Sequence, residues 1–153
     1  MIDQKYVPSP CEFDPDAFAL CLDEVVPSEI RVIPIVVARI LSLIKKTGCW
    51  DDLDDIRLAL DEALANAIIH GNGSNSAKSV RICVAVQNTC EILIVVKDSG
   101  SGFDPDSLPD PVAAKNLFSS HGRGVYFIKQ LMDDVQFDFE HGTAVYMRKR
   151  WKK

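Results

Sequence analysis

Glu62 and Asn66 lie one helical turn apart within residues 54–69, where apolar positions recur at helical spacing and most residues are good helix formers. Side chains with that separation share a face. An amide oxygen such as that of Asn66 suits magnesium, an ion that keeps several waters and is completed by substrate phosphates. A carboxylate beside it, here Glu62, can take a proton from an attacking hydroxyl. On their own, a helical Glu and Asn are most often solvated or capping residues. An aspartate and two glycine loops further along the chain shift that balance.

Residues 91–97 form a short β-branched apolar run that stops at Asp98-Ser99-Gly100-Ser101-Gly102, the pattern of a central strand ending in a glycine loop. Asp98 would then stand at the strand end and face a cleft. A carboxylate there can accept a hydrogen bond from an exocyclic amine such as that of adenine, and a site built around such a bond discriminates strongly. Gly100 and Gly102 permit unusual backbone angles and close approach of a ligand, although an Asp among glycines is by itself usually a turn. Residues 119–132 run from a small-residue loop into an apolar periodic helix, an arrangement in which free N–H groups and the positive helix end bind phosphate. Arg123 adds a guanidinium, for phosphate or for an ordinary surface carboxylate.

The remaining elements are set by punctuation and periodicity. Residues 1–16 carry Pro8, Pro10 and Pro15 and read as an extended segment. An opening strand is expected over 17–23. A helix comes next over 33–46, with Pro34 in its first turn and Gly48 just beyond its end. The acidic cluster Asp51, Asp52, Asp54 and Asp55 opens the Glu62 helix, where negative charge suits the dipole, and reads as a cap rather than a metal site. Residues 71–76 read as a turn. Strands 79–87 and 90–97 are joined antiparallel around Asn88-Thr89, and a final hairpin pairs 135–140 with 143–150 around His141-Gly142. The stretch after Phe103 contains Pro105, Pro109 and Pro111 with little periodicity, as in a lid over a binding site.

At 153 residues the chain suits one domain, and 47% hydrophobic with 25% charged residues is ordinary for a globular protein. A formal net charge of -5 argues against broad binding to nucleic acid or acidic membranes. The basic end, residues 148–153, reads as the close of a solvated strand. The 5 cysteines, Cys11, Cys21, Cys49, Cys83 and Cys90, are odd in number and lack CxxC spacing, so they read as packing residues in a reducing cytoplasm rather than a disulfide framework or zinc site. No apolar run is long enough to span a bilayer, and the N-terminus lacks a signal-peptide core, so a soluble cytoplasmic protein is expected. His70 and His121 read as hydrogen-bonding or loop residues.

Glu62xxxAsn66, Asp98xGly100xGly102 and Gly122xGly124 together resemble the N box and the two glycine boxes of the GHKL ATPases, the superfamily of the gyrase, histidine-kinase and MutL nucleotide domains. Residues 61–72, with Gly122-Arg123-Gly124 and Gly142-Thr143-Ala144-Val145, look most like the anti-sigma factor serine kinases of the RsbW and SpoIIAB type. The likeness runs from about residue 17 to the end. It implies a Bergerat fold, a two-layer α/β (α+β) sandwich in which a mixed, mostly antiparallel sheet is covered on one face by helices. It further implies one domain over 17–153 with an ATP lid at about 104–121.

By resemblance Glu62 would be the general base and Asn66 the magnesium ligand, with Asp98 reading adenine. Gly100, Gly102 and Phe103 would form the nucleotide loop, and Gly122, Arg123 and Gly124 the phosphate loop. Thr143 would be a hydrogen-bond partner near Asp98 and the base. The implied ligands are ATP and Mg2+. The implied partners are a STAS-domain anti-sigma factor antagonist, which receives a phosphoryl group on Ser or Thr, and a sigma factor, with homodimerisation common and no direct contact to nucleic acid or membrane. In one respect the chain departs from the pattern. Some relatives carry an arginine just before the lid glycines, where this sequence has Ser119, Ser120 and His121, leaving Arg123 or Lys115 as substitutes. That departure motivates an alternative: a non-catalytic module that binds nucleotide and sequesters a regulatory partner.

Overall fold

The computed structural model describes residues 17–50, 52–99, 124–139 and 142–150. The chain opens with strand β1 (Phe18–Pro27), passes a short 3-10 turn (Ile30–Val32) and enters helices α1 (Ile33–Lys46) and α2 (Asp54–Ala65). A π-helical segment (Asn66–Gly71) continues α2. Strands β2 (Ser79–Gln87) and β3 (Glu91–Asp98) come next, then helix α3 (Gly124–Leu131) and strands β4 (Asp134–Asp138) and β5 (Ala144–Arg150).

Helix α1 occupies the span its sequence predicts. Ile33, Val36, Val37, Ile40, Leu41 and Ile44 make one buried stripe, Pro34 sits in the first turn, and Lys45 and Lys46 lie where the dipole favours cations. Thr47 closes the helix by donating its hydroxyl to the Ile44 carbonyl at 2.6 Å. In α2 the buried stripe is Ile56, Ala59, Leu60, Ala63 and Leu64, and Asp54 and Asp55 occupy the first turn. The acidic cluster acts one residue earlier than a standard cap. Asp52 Oδ1 accepts the Asp54 N–H at 2.9 Å, whereas Leu53 holds the capping position without a side-chain bond.

The sheet has strand order β1-β2-β3-β5-β4, and every described pairing is antiparallel. The expected admixture of parallel strands is absent among the described residues. The first strand is longer than its apolar pattern suggests, because the ladder with β2 continues from Asp23 through to Pro27 opposite Ser79. Alternate residues of the central strands, Val80, Ile82, Val84, Val86, Ile92, Ile94, Val96, Val145 and Met147, share one core with the stripes of α1 and α2 and with Ile128 of α3. The opposite face carries an Arg81–Asp23 pair with two bonds of 2.9 and 2.5 Å. Beside it lie Cys83, Ala85 and Tyr146, in register with their neighbours on adjacent strands.

The basic residues of β5 are engaged within the fold. Arg148 and Arg150 pair with Glu91 at 3.0 and 3.6 Å. Lys149 donates to the Leu131 carbonyl at 2.6 Å and lies 3.4 Å from Asp55.

The cysteine expectation needs correction. Cys49, just past α1, and Cys90, in the β2–β3 turn, are disulfide-bonded across a sequence separation of 41, with Cα atoms 5.2 Å apart. Cys21 is disulfide-bonded as well, and Cys83 is a free, buried thiol. The missing CxxC spacing misled, because this bridge depends on two distant turns meeting at one end of the sheet. Among the described residues, no helix is long and apolar enough to cross a membrane.

Candidate functional site

The best-defined part of the site is Asp98, the last residue of β3, which is 3% exposed. Its backbone N–H donates to the Thr143 carbonyl at 3.0 Å, and Asp98 Oδ1 accepts the Thr143 N–H at 3.1 Å. The carboxylate is thus anchored to the residue just before β5. A buried polar group is tolerated when it is hydrogen-bonded, and the Thr143 amide supplies such a bond.

Asp98 meets the α2 side through Gly71. A Cβ built on Gly71 would fall 1.9 Å from Asp98 Oδ2, so the carboxylate fills the space that any side chain at 71 would need. Gly71 is brought there by the π-helical segment, in which the Asn72 N–H reaches back to the Ala67 carbonyl at 2.8 Å, a span of five residues rather than four. Periodicity alone predicts a plain helix over 54–69 and a turn from 71. Instead the wider turn delivers Gly71 and Asn72 to the end of β3, and π-bulges of this kind recur at functional sites.

Glu62 lies in the last turn of α2 and Asn66 is the first residue of the π segment, both half-buried. Asn66 and Gly71 are therefore the two ends of one six-residue segment whose far end abuts Asp98. His70 is exposed on the same segment. Gly124 opens α3, placing it at a helix N-terminus. Gly100, Gly102, Phe103, Gly122 and Arg123 lie outside the described residues, as do residues 104–121, read as the lid.

No group of three or more His, Cys, Asp or Glu side chains suited to a metal occurs among the described residues. A protein-only cage is therefore lacking there, whereas the single amide oxygen of Asn66 fits magnesium held mainly by phosphates and water.

Sequence reasoning missed Ser28, Gly71 and Asn72. Asn72 is 2% exposed and donates through Nδ2 to Ser28 Oγ at 3.0 Å and to the Ser79 carbonyl at 2.9 Å. Its Oδ1 accepts the Ser99 N–H at 2.9 Å. Gly-Asn after a helix reads as a turn, and nothing local points to a serine 44 residues earlier.

A sequence profile of the histidine kinase-like ATPase domain matches residues 27–149. Proteins named serine-protein kinase RsbW from Bacillus cereus (strain AH187) and Bacillus anthracis are each 25% identical over 131 residues, covering 81% of this chain and 81% of theirs. Among solved structures, that of the RsbU and RsbW domains of a Mycobacterium tuberculosis protein superposes with a TM-score of 0.63 at 16% identity, over 88% of this chain and 33% of that one. The histidine kinase domain of a blue-light activated kinase from Erythrobacter litoralis gives 0.50 at 17% identity, over 82% of this chain and 62% of that one. This chain thus spans a third of the first structure and less than two thirds of the second, and both likenesses concern the fold alone.

Proposed function

This chain belongs to the histidine kinase-like ATPase domain family, and on that premise we propose that it binds Mg-ATP and transfers the γ-phosphoryl group to a Ser or Thr hydroxyl of a small partner protein. The observation that carries the reading is the Asp98 carboxylate, buried, bonded to Thr143 and seated against Gly71 at the end of the segment that Asn66 begins. A carboxylate so fixed accepts a hydrogen bond from the 6-amino group of adenine and rejects a base that offers an oxygen there.

In this reading Asn66 would hold magnesium through its amide oxygen, and the ion would supply neutralising charge for the triphosphate. Glu62 orients the partner's hydroxyl and accepts its proton as the oxygen bonds to the γ-phosphorus and the bond to the ADP oxygen breaks. By resemblance Gly100, Gly102 and Phe103 would form the nucleotide loop. By resemblance Gly122, Arg123 and Gly124 would supply backbone N–H groups and a guanidinium to the phosphates, Gly124 being the first residue of α3. Thr143 fixes Asp98 and stands near the base. Positioning and electrostatics carry most of such a transfer.

The partner chemistry is suggested by the relatives named serine-protein kinase RsbW together with the motif pattern. The phosphoryl acceptor would be a STAS-domain anti-sigma factor antagonist and the other ligand a sigma factor, so that the chain would regulate transcription without touching nucleic acid. A second reading rests on the lid sequence, where Ser119, Ser120 and His121 replace an arginine. On that reading the chain is a nucleotide-dependent switch that sequesters its partner without transfer.

Incubation with γ-labelled ATP, magnesium and a STAS-domain antagonist separates the two. Kinase action labels a Ser or Thr of the antagonist. Saturable ATP binding with no label on any antagonist supports the switch, and absence of saturable binding defeats both.

A further inference from the structure

Two consecutive residues, Gly71 at the end of the π segment and Asn72 just past it, grip two consecutive residues at the end of β3. Gly71 does so by contact, since its missing side chain leaves the space in which the Asp98 carboxylate lies, 1.9 Å from where a Cβ would be. Asn72 does so by hydrogen bonding, its Oδ1 accepting the Ser99 N–H at 2.9 Å. The same amide is held on its other side by Ser28 Oγ and the Ser79 carbonyl, at 3.0 and 2.9 Å. Ser79 in turn exchanges bonds with the Ser99 hydroxyl, accepting from it at 3.0 Å and donating its N–H to it at 3.2 Å. Asn72 and Ser28 are 2% and 1% exposed, so this network is buried where it originates. It ties the turn after β1, the start of β2 and the exit of β3 to the segment that starts at Asn66.

We infer that Gly71 and Asn72 are positioning residues for base recognition, fixing where the Asp98 carboxylate stands and so restricting the site to a purine that carries an exocyclic amino group. This inference rests on the reading of Asp98 as the base-recognising carboxylate. A hydrogen bond that discriminates between an amine and a carbonyl oxygen needs its acceptor held to a fraction of an ångström, which is work for residues behind the acceptor. Neither residue need touch the nucleotide. A purely structural role for Asn72 would lower stability while weakening all nucleotides alike.

The test compares ATP with inosine triphosphate, which differs in bearing an oxygen in place of the 6-amino group. Dissociation constants are measured by calorimetry for the intact chain and for Asp98→Ala, Asn72→Ala, Gly71→Ala and the milder Ser28→Ala. Gly71 has helical backbone, so alanine there introduces no conformational penalty of its own and acts through the carboxylate. Gly71→Ala and Asn72→Ala are expected to cut the preference for ATP roughly tenfold or more, with affinity for inosine triphosphate little changed. Ser28→Ala, which leaves Asn72 Nδ2 its bond to Ser79, should shift the preference in the same direction by less. In an Asp98→Ala background, Gly71→Ala should have no further effect on the ratio.

If Asn72→Ala fails to fold, Gly71→Ala and Ser28→Ala carry the test. Should Asp98→Ala abolish the preference while the folded variants at 28, 71 and 72 keep it, the inference fails and the reading of Asp98 stands. Should Asp98→Ala leave the preference intact, both fall.

Discussion

At the scale of single residues, the proposal divides labour between Asp98, which binds, and Glu62, which reacts. Glu62→Ala should therefore abolish phosphoryl transfer while the dissociation constant for ATP stays within a few-fold, and parallel loss of both would make Glu62 structural. Asp98→Asn offers an amide where a base-reading acceptor is required, and ATP affinity should fall by about a hundredfold with the fold retained, as circular dichroism and calorimetry together would show. Cys83 makes a prediction independent of function. Burial, then the nearby Asp23 carboxylate, push its thiol from the ordinary 9.0 up to about 11. The native chain holds that proton to higher pH than the unfolded chain does, so its contribution is intact below 9.0 and is lost as pH rises toward about 11. Denaturant midpoints should thus drop more steeply across this window for the natural chain than for Cys83→Ala. Across the strand, Arg81 holds the Asp23 carboxyl below its ordinary 3.8, and that contribution is lost only as pH falls beneath this value.

At the scale of elements, what was legible in the sequence was what local periodicity decides. Helix α1 and strands β2 and β3 are readable because apolar spacing, Pro34 and the Asn88-Thr89 turn all agree. The π segment was not readable, because its cause lies in the end of β3, through Gly71 against Asp98 and Asn72 to Ser99. The Cys49–Cys90 bridge was hidden for a similar reason, its two turns meeting only once the sheet is assembled. Closing a loop of 41 residues restricts the unfolded chain, and Cys49→Ser should cost roughly 2–4 kcal/mol. An unchanged urea midpoint on adding a thiol reductant would show that the bridge contributes nothing. Of the candidate site, Glu62, Asn66 and Asp98 were nameable from residue type and spacing and Thr143 only through the family resemblance, whereas Ser28, Gly71 and Asn72 were not, since their partners are remote in sequence.

At the scale of the whole molecule, cationic side chains at the end of β5 are engaged by the protein's own acids and carbonyls, as Lys149 is by Leu131 and Asp55. With a formal net charge of -5 and those groups already engaged, the chain should not retard a random DNA duplex in a gel even at low salt. A salt-sensitive shift would mean that basic surface remains available.

The single additional residue in the turn between Asn66 and Gly71 makes chain length itself a determinant of how this segment meets the end of β3. Deleting one residue from 67–70 would restore ordinary helical winding and shorten the reach of the segment by about 1.5 Å, enough to part Gly71 from the Asp98 carboxylate. Cousins of this protein that differ by one position in that stretch would then divide into those able to clasp the strand end and those unable to, whatever letters they carry at 62, 66 and 98.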